Sequence, residues 1–221
     1  MKYNFIIPYR NRNAHLQEFI QRFTGYLEGK DIDAYFYVIH QITPGGFNRG
    51  AMNNIGFLEA CKIRPDGLFI FHDVDTYPTA WGSIQYNAKP GTFRRPVLNS
   101  SPNNLGLICS CWKTEYERVN GFPNYTGWGA EDGALYHRAI KQGIPIDEHR
   151  AVSYQDTSVV INREHPRNNQ YQDMIINGNK LLQEKQTGDS TNGLSSLRYE
   201  VICSIELAPR FTMINVDFTT S

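Results

Sequence analysis

The chain has 221 residues, enough for one sizeable domain and too few to require two. Its 22 Lys plus Arg balance its 22 Asp plus Glu with no basic block, which argues against partners held by nucleic-acid backbone charge or an anionic membrane surface. No stretch reaches the roughly 20 apolar residues of a membrane span. The start, MKYNFIIPYRNRN, lacks the apolar core and cleavage site of a secretory leader, so a soluble, cytoplasmic chain is expected.

In chain order, residues 3–7 read as a buried strand ended by Pro8. Asn13 is a plausible helix N-cap, followed by Leu16, Phe19, Ile20, Phe23 and Leu27 at helical spacing and by Gly29 as a stop. Residues 34–39 form a second strand. Met52, Ile55, Leu58 and Cys61 mark a second helix, and residues 68–71 a third strand. This alternation predicts a mainly parallel sheet flanked by helices. Residues 79–104 are rich in Gly, Pro, Asn and Ser and read as loop and short hairpin. Residues 105–111 follow as another strand, then a helix through Leu135, Ala139 and Ile140 that Gly143 and Pro145 close. Residues 162–192 are polar with few apolar anchors, which predicts a disordered segment or a lid. The tail alternates: Tyr199, Val201, Cys203, Ile205 and Leu207 oppose Arg198, Glu200, Ser204 and Glu206, and residues 211–218 complete an antiparallel hairpin. Cys61, Cys109, Cys111 and Cys203 lack metal or redox spacing and read as buried free thiols.

Two Asp-x-Asp pairs occur, Asp31/Asp33 and Asp73/Asp75. Ligands of open α/β sheets bind beyond the carboxyl ends of parallel strands. Asp31 and Asp33 precede a strand and read as a solvated turn. Asp73 and Asp75 follow one, where two carboxylates suit a hard divalent ion, although an Asx-type turn before Tyr77-Pro78 explains them as well. Arg10 and Arg12 follow the first strand and Arg49 precedes the second helix. Three guanidiniums at this rim suit a diphosphate. In Gly127-Trp128-Gly129-Ala130-Glu131-Asp132, either Asp132 is a helix N-cap and Glu131 a first-turn charge, or one of the two carboxylates is a general base in a flexible loop with Trp128 as a platform for a sugar ring. His72 reads as a packing residue, and His137 as a helix-face residue. His165 opens the lid-like segment and is a candidate metal ligand.

Five strings in order, IIPYRNR, FNRGAMNNIGF, FIFHDVDTYP, NGFPNYTGWGAED and NGLSSLRYEVICSIELAPRFTMINVDF, resemble the β-1,4-galactosyltransferase family (glycosyltransferase family 7) over residues 5–218. The resemblance implies a single GT-A domain over residues 1–221. Residues 1–78 would be the nucleotide-binding half, and residues 79–221 an acceptor half with a mobile loop around 162–192. It implies inverting, Mn²⁺-dependent transfer of galactose or N-acetylgalactosamine from a UDP-sugar to an acceptor sugar, in β-1,4 linkage. By position, Pro8, Tyr9, Arg10, Arg12, Phe47 and Arg49 would line the nucleotide site, with Asp73 and Val74 at the donor. Asp75 and His165 would bind the metal. Trp128 would sit between donor and acceptor, Glu131 would hold the sugars, and Asp132 would be the base.

Three departures qualify this. Asn162 stands where vertebrate members carry a metal-binding methionine, and its harder oxygen would tolerate Mg²⁺ better. Gly133 and Ala134 replace acidic residues, which leaves the acceptor open between GlcNAc- and glucuronate-terminated glycans. Asn104 falls at the donor-selecting tyrosine and makes room for an N-acetyl group, hence UDP-GalNAc beside UDP-Gal. The family's anchor and stem are not in this sequence, so a bacterial or viral-type member is expected. The competing readings are a retaining enzyme resembling polypeptide N-acetylgalactosaminyltransferases, and a catalytically silent UDP-sugar-binding module.

Overall fold

The computed structural model describes residues 1–163 and 170–220. The first half is β1 (Lys2–Tyr9), α1 (Asn13–Leu27), β2 (Asp33–Gln41), α2 (Arg49–Ile63), β3 (Leu68–His72) and β4 (Thr76–Pro78). Then come the short β5 (Phe93–Arg94) and β6 (Val97–Leu98), followed by β7 (Ile108–Cys111), α3 (Lys113–Arg118) and α4 (Glu131–Lys141). After β8 (Ile146–Asp147), β9 (Val152–Ser153) and β10 (Val160–Asn162), the chain ends in α5 (Gln170–Thr187), β11 (Leu197–Ala208) and β12 (Phe211–Thr220).

One sheet has the order β11-β12-β2-β1-β3-β7-β5-β8. β3, β1, β2 and β12 run parallel, while β11 and β7 are antiparallel to their neighbours. Alternation along the strands builds two cores, because successive side chains point to opposite faces. Phe5, Ile7, Phe36, Val38 and Ile70 meet Leu16, Phe19 and Phe23 of α1. Ile6, Tyr37, Ile39, Phe69 and Phe71 meet Met52, Ile55 and Phe57 of α2. Both helices therefore flank strands whose carboxyl ends share one rim.

Four expectations are corrected. The 105–111 strand begins only at Ile108, because Leu107 adopts φ 64 in a tight turn closed by the Ile108 N–H on the Gly106 carbonyl (2.8 Å). In the 162–192 segment, residues 164–169 lie outside the described residues and Gln170–Thr187 form α5, an 18-residue helix whose anchors are polar, in place of the disordered alternative. Buried Asn177 donates to the Thr126 carbonyl (3.1 Å), and buried Glu184 takes a bidentate pair from Arg138 (2.6 and 2.8 Å). An apolar count could not find such a helix. The tail hairpin exists, but register shifts between Val201 and Cys203 and between Glu206 and Ala208 break its alternation. As a result Cys203 is exposed on the edge strand while Cys109 and Cys111 are buried. Finally, α1 is capped by Arg12, with Asn13 already inside the helix.

Candidate active site

Strand ends and helix starts converge on a cleft of about 1420 Å³. Pro8, Arg10 and Arg12 reach it from the end of β1, Phe47 from before α2, and Asp73, Val74 and Asp75 from the end of β3. Trp128, Glu131 and Asp132 join at the start of α4, with Asn104 and Asn162 on the remaining walls. Tyr9 and Arg49 do not line it. Tyr9 is buried edge-on against His40, with 5.2 Å between ring centroids. His165 lies outside the described residues.

The turn after β3 is closed by main-chain groups, with the Thr76 N–H on the Asp73 carbonyl (3.3 Å) and the Asp73 N–H on the Leu107 carbonyl (2.9 Å). Both aspartate side chains are thereby left for other partners. Asp75 pairs with Arg12, and Asp73 accepts from Arg49 Nε at 2.7 Å. Burial and the neighbouring Asp73 raise the Asp75 carboxyl above its ordinary value, with Arg12 only partly offsetting them.

Arg49 is the hub. It opens α2 behind Asn48, whose side chain caps the helix by accepting from the Ala51 N–H (2.8 Å) and holds the Asn124 carbonyl (3.0 Å). Gly50 permits this approach, since a Cβ there would sit 1.9 Å from the Pro123 carbonyl oxygen. The Arg49 guanidinium lies 5.5 Å from the Phe122 ring centroid and reaches Asp132 at 2.6 Å and Glu131 at 3.7 Å. Burial opposes its charge, but Asp132, Asp73 and Glu131 outweigh that and hold it protonated well above its usual range. Its donors are committed to carboxylates, a different employment from the phosphate contact expected of it.

Glu131 and Asp132 open α4 behind Ala130, which caps the helix in the left-handed region (φ 71) without a side-chain bond. Asp132 is therefore not a cap, and its carboxylate is directed at Arg49 and the cleft. Its side chain keeps 26% exposure, whereas Glu131 keeps 9%. Burial raises both carboxyls. The adjacent Asp132 adds to the shift at Glu131, and Arg49 limits the shift at Asp132. A carboxyl whose proton affinity is raised and whose face is open is suited to accept a proton.

β10 pairs antiparallel with β4, setting Asn162 opposite Thr76, and the Arg163 N–H donates to the Asp75 carbonyl (2.8 Å). Asn162 Oδ1 accepts from the Thr76 hydroxyl at 3.0 Å, which leaves the oxygen a second lone pair. The carboxylate of Asp75 and this amide oxygen fit a hard divalent cation, and a raised Asp75 carboxyl is what such a charge would relieve. Among the described residues, no group of three or more His, Cys, Asp or Glu side chains forms a metal site.

Asn99, Arg95 and Asp173 escaped the sequence. Asn104 exchanges hydrogen bonds with Asn99 (3.0 and 3.1 Å), and buried Arg95 fixes that loop through Asn99 and the Ser101 and Pro102 carbonyls (3.0, 2.7 and 2.7 Å). Asp173 of α5 accepts from the Trp128 N–H at 3.1 Å, tying the Trp128 loop to the helix that the sequence read as a lid. Nothing in local pattern marks these residues. His137 and Lys185 also line the cleft; the former sits at i,i+4 from Gly133 on α4.

Structural similarity defines the class first. A Drosophila β-1,4-galactosyltransferase 7, solved as a mutant with manganese, UDP-Gal and xylobiose, superposes with TM-score 0.76 at 20% identity over 100% of this chain and 95% of that one. A mannosyltransferase from Pyrobaculum calidifontis, solved with GDP-Man and Mn²⁺, superposes with TM-score 0.50 at 14% identity over 88% and 68%. The fold is thus the GT-A glycosyltransferase fold. In sequence, residues 1–85 match the N-terminal region of glycosyl transferase group 7, and residues 97–162 match the N-terminal domain of galactosyltransferase. β-1,4-Galactosyltransferase 4 of Rattus norvegicus is 32% identical over 98% of this chain and 63% of its own length. β-1,4-Galactosyltransferase 1 of Mus musculus is 30% identical over 99% and 55%. A β-1,4-N-acetylglucosaminyl-transferase of Lymnaea stagnalis is 32% identical over 64% and 30%. The chain belongs to glycosyltransferase family 7, the β-1,4-galactosyltransferase family. It spans a little under two thirds of the relatives named first. These relatives are animal proteins and lend no support to a bacterial or viral type. No helix among the described residues is long and apolar enough to cross a membrane.

Proposed function

We propose that this chain is a metal-dependent, inverting glycosyltransferase that moves galactose or N-acetylgalactosamine from a UDP-sugar to a hydroxyl of an acceptor sugar, in β-1,4 linkage. The observation that carries this reading is Asp132, a carboxylate with raised proton affinity, open to the cleft and oriented by Arg49. Residues 1–78 act as the nucleotide half and the remainder as the acceptor half of one domain. Pro8, Arg10, Arg12 and Phe47 form the wall toward the nucleotide, while Asp73 and Val74 meet the donor sugar. Asp75 and Asn162, with His165, would hold Mn²⁺ or Mg²⁺, and such an ion neutralises charge on the leaving diphosphate.

In the reaction, the acceptor hydroxyl attacks the anomeric carbon as the bond to the UDP oxygen breaks, and Asp132 takes the hydroxyl proton. Glu131 steadies the sugars, Trp128 offers its ring between donor and acceptor, and the cleft walls limit access of water. The galactosyltransferases it resembles, one of them solved with UDP-Gal and manganese, support the galactosyl reading, while the similar N-acetylglucosaminyl-transferase of Lymnaea stagnalis supports keeping other donor sugars in the test. Asn104, smaller than tyrosine, favours room for an N-acetyl group. Acceptors ending in GlcNAc or glucuronate are the first to test. The experiment is UDP release from UDP-Gal, UDP-GalNAc, UDP-GlcNAc and UDP-Glc, with Mn²⁺ or Mg²⁺ and each acceptor type, reading the product's anomeric configuration by NMR. Transfer from UDP-Gal or UDP-GalNAc with inversion is expected. A retained configuration, or binding of UDP-sugar without turnover on every acceptor, would overturn the reading.

A further inference from the structure

Beyond Asp132 the cleft does not end at the width of one sugar. It continues along α4, where Gly133, Tyr136, His137 and Ile140 line it at helical spacing. At 1.5 Å rise per residue, Ile140 lies about 12 Å past Asp132 along the helix axis. Leu181 and Lys185 of α5 form the facing wall. The Arg138–Glu184 pair fixes the separation of the two helices (2.6 and 2.8 Å), so this extension is built into the fold.

The charges there are unevenly spent. Of the cleft's other cations, Arg12 is paired with Asp75, Arg163 with Glu18, and Arg10 donates to the Gly45 carbonyl. Lys185 has no hydrogen-bond or ion partner among the described residues, and neither does the His137 ring. Lys141 stands behind them, donating to the Gly188 carbonyl at 2.7 Å. The acidic groups nearby are committed: Glu184 to Arg138, Asp132 to Arg49, and Asp189 to the Thr191 N–H (2.9 Å). His137 feels the excess, since burial and then Lys185 and Lys141 lower its proton affinity against only Glu184. The outer cleft thus presents positive charge and a neutral imidazole between the side chains of Tyr136, Ile140 and Leu181, whose apolar faces suit sugar rings.

We propose that this outer end is a second acceptor subsite for an anionic group, a carboxylate or sulfate, on a sugar unit further in from the attacked hydroxyl. Lys185 is its counter-ion and His137 its hydrogen-bond partner. The acceptor class is then an acidic oligosaccharide rather than a neutral monosaccharide. This rests on the reading of the cleft as a glycosyltransferase site.

The test compares N,N′-diacetylchitobiose with the same disaccharide carrying a 6-carboxylate or a 6-sulfate on the inner unit. With the full chain and its best UDP-sugar, the charged acceptors should be favoured about tenfold in kcat/KM, as a charge-assisted hydrogen bond supplies. The preference should shrink as salt is raised. Lys185→Gln should bring the charged-to-neutral ratio to about one, and Lys185→Glu should invert it. Lys180→Gln, on the same helix but outside the cleft, should leave the ratio as in the wild type. A preference for carboxylate over sulfate, or the reverse, identifies the source of the charge. Equal use of charged and neutral acceptors by the wild type, or a ratio unmoved by Lys185→Glu, overturns the proposal. Direct binding, followed by NMR of the His137 ring in the presence of UDP, separates the two readings. Charge-selective, Lys185-dependent binding without turnover would sink the transferase reading alone, and charge-blind binding would sink the subsite.

Discussion

The two Asp-x-Asp pairs have the same spacing and opposite fates. Asp31 and Asp33 lie at the amino end of β2, where Asp33 meets Arg64 at 2.5 Å with its side chain 49% exposed. Asp73 and Asp75 lie past the carboxyl end of β3, with side chains 24% and 15% exposed, in a cleft that Arg10, Arg12, Glu131, Asp132 and Arg163 also line. In water the first pair costs little and does little. In the cleft, burial raises the Asp75 carboxyl above its ordinary value and Arg12 only partly offsets it, so that its charge becomes responsive to a ligand. Sheet polarity, not spacing, makes the difference.

Substitutions at the two ends should therefore differ steeply. Asp132→Asn, which keeps the shape and removes the base, should lower transfer about 10²- to 10⁴-fold while UDP-sugar affinity by calorimetry stays close to wild type. Near-normal turnover would place the base elsewhere. Arg49→Met strands Asp73, Asp132 and Glu131 together, and should cost about 3–5 kcal/mol in urea unfolding, as for a broken buried pair. Asp75→Ala should remove both metal-stimulated turnover and the affinity for Mn²⁺ measured by titration, with a loss in rate of about 10²- to 10³-fold.

A pH prediction comes from the same rim. His72 is fully buried, bonded to the Asp73 carbonyl (2.9 Å) and packed among Phe5, Phe19 and Phe23, and burial lowers its pKa to about 4. The unfolded chain binds this proton from about 6.5 downward and the folded chain only near 4, so stability falls as pH drops between those values and then levels. The full effect is on the order of 3 kcal/mol. His72→Phe should flatten that part of the curve of unfolding free energy against pH, and an unchanged slope would assign the loss to other groups. At the far end of the sheet, Asp33→Ala should cost under about 1 kcal/mol and leave turnover unaffected. A large effect there would erase the contrast between the two pairs.

Much of this was legible in the residues. Period-2 runs in β1, β2 and β3 and 3.6-period runs in α1 and α2 report burial directly, so the parallel half of the sheet and the rim bearing Asp73 and Asp75 could be read one element at a time. The turn chemistry was legible only in part. Whether Asp73 closes its own turn, or Asp132 caps α4, depends on main-chain bonds to Thr76 and Leu107 and on the left-handed Ala130, which side-chain identity does not encode. Residues 170–187 were misread for a related reason: α5 is held by Asn177 and Glu184, and a helix anchored through polar groups carries no apolar stripe.

The sequence by itself determined the alternation of elements, the placing of carboxylates and arginines at strand ends, and the family strings, because these depend on local period and order along the chain. Only the tertiary structure decided how the charges are spent. Arg49 is 24 residues from Asp73 and 83 from Asp132. Its choice of carboxylates, Asn162's place beside Asp75 through the β4–β10 ladder, and a Lys185 with no partner among the described residues all depend on desolvation and distance between remote segments. Those quantities do not exist until the two cores have closed on the sheet.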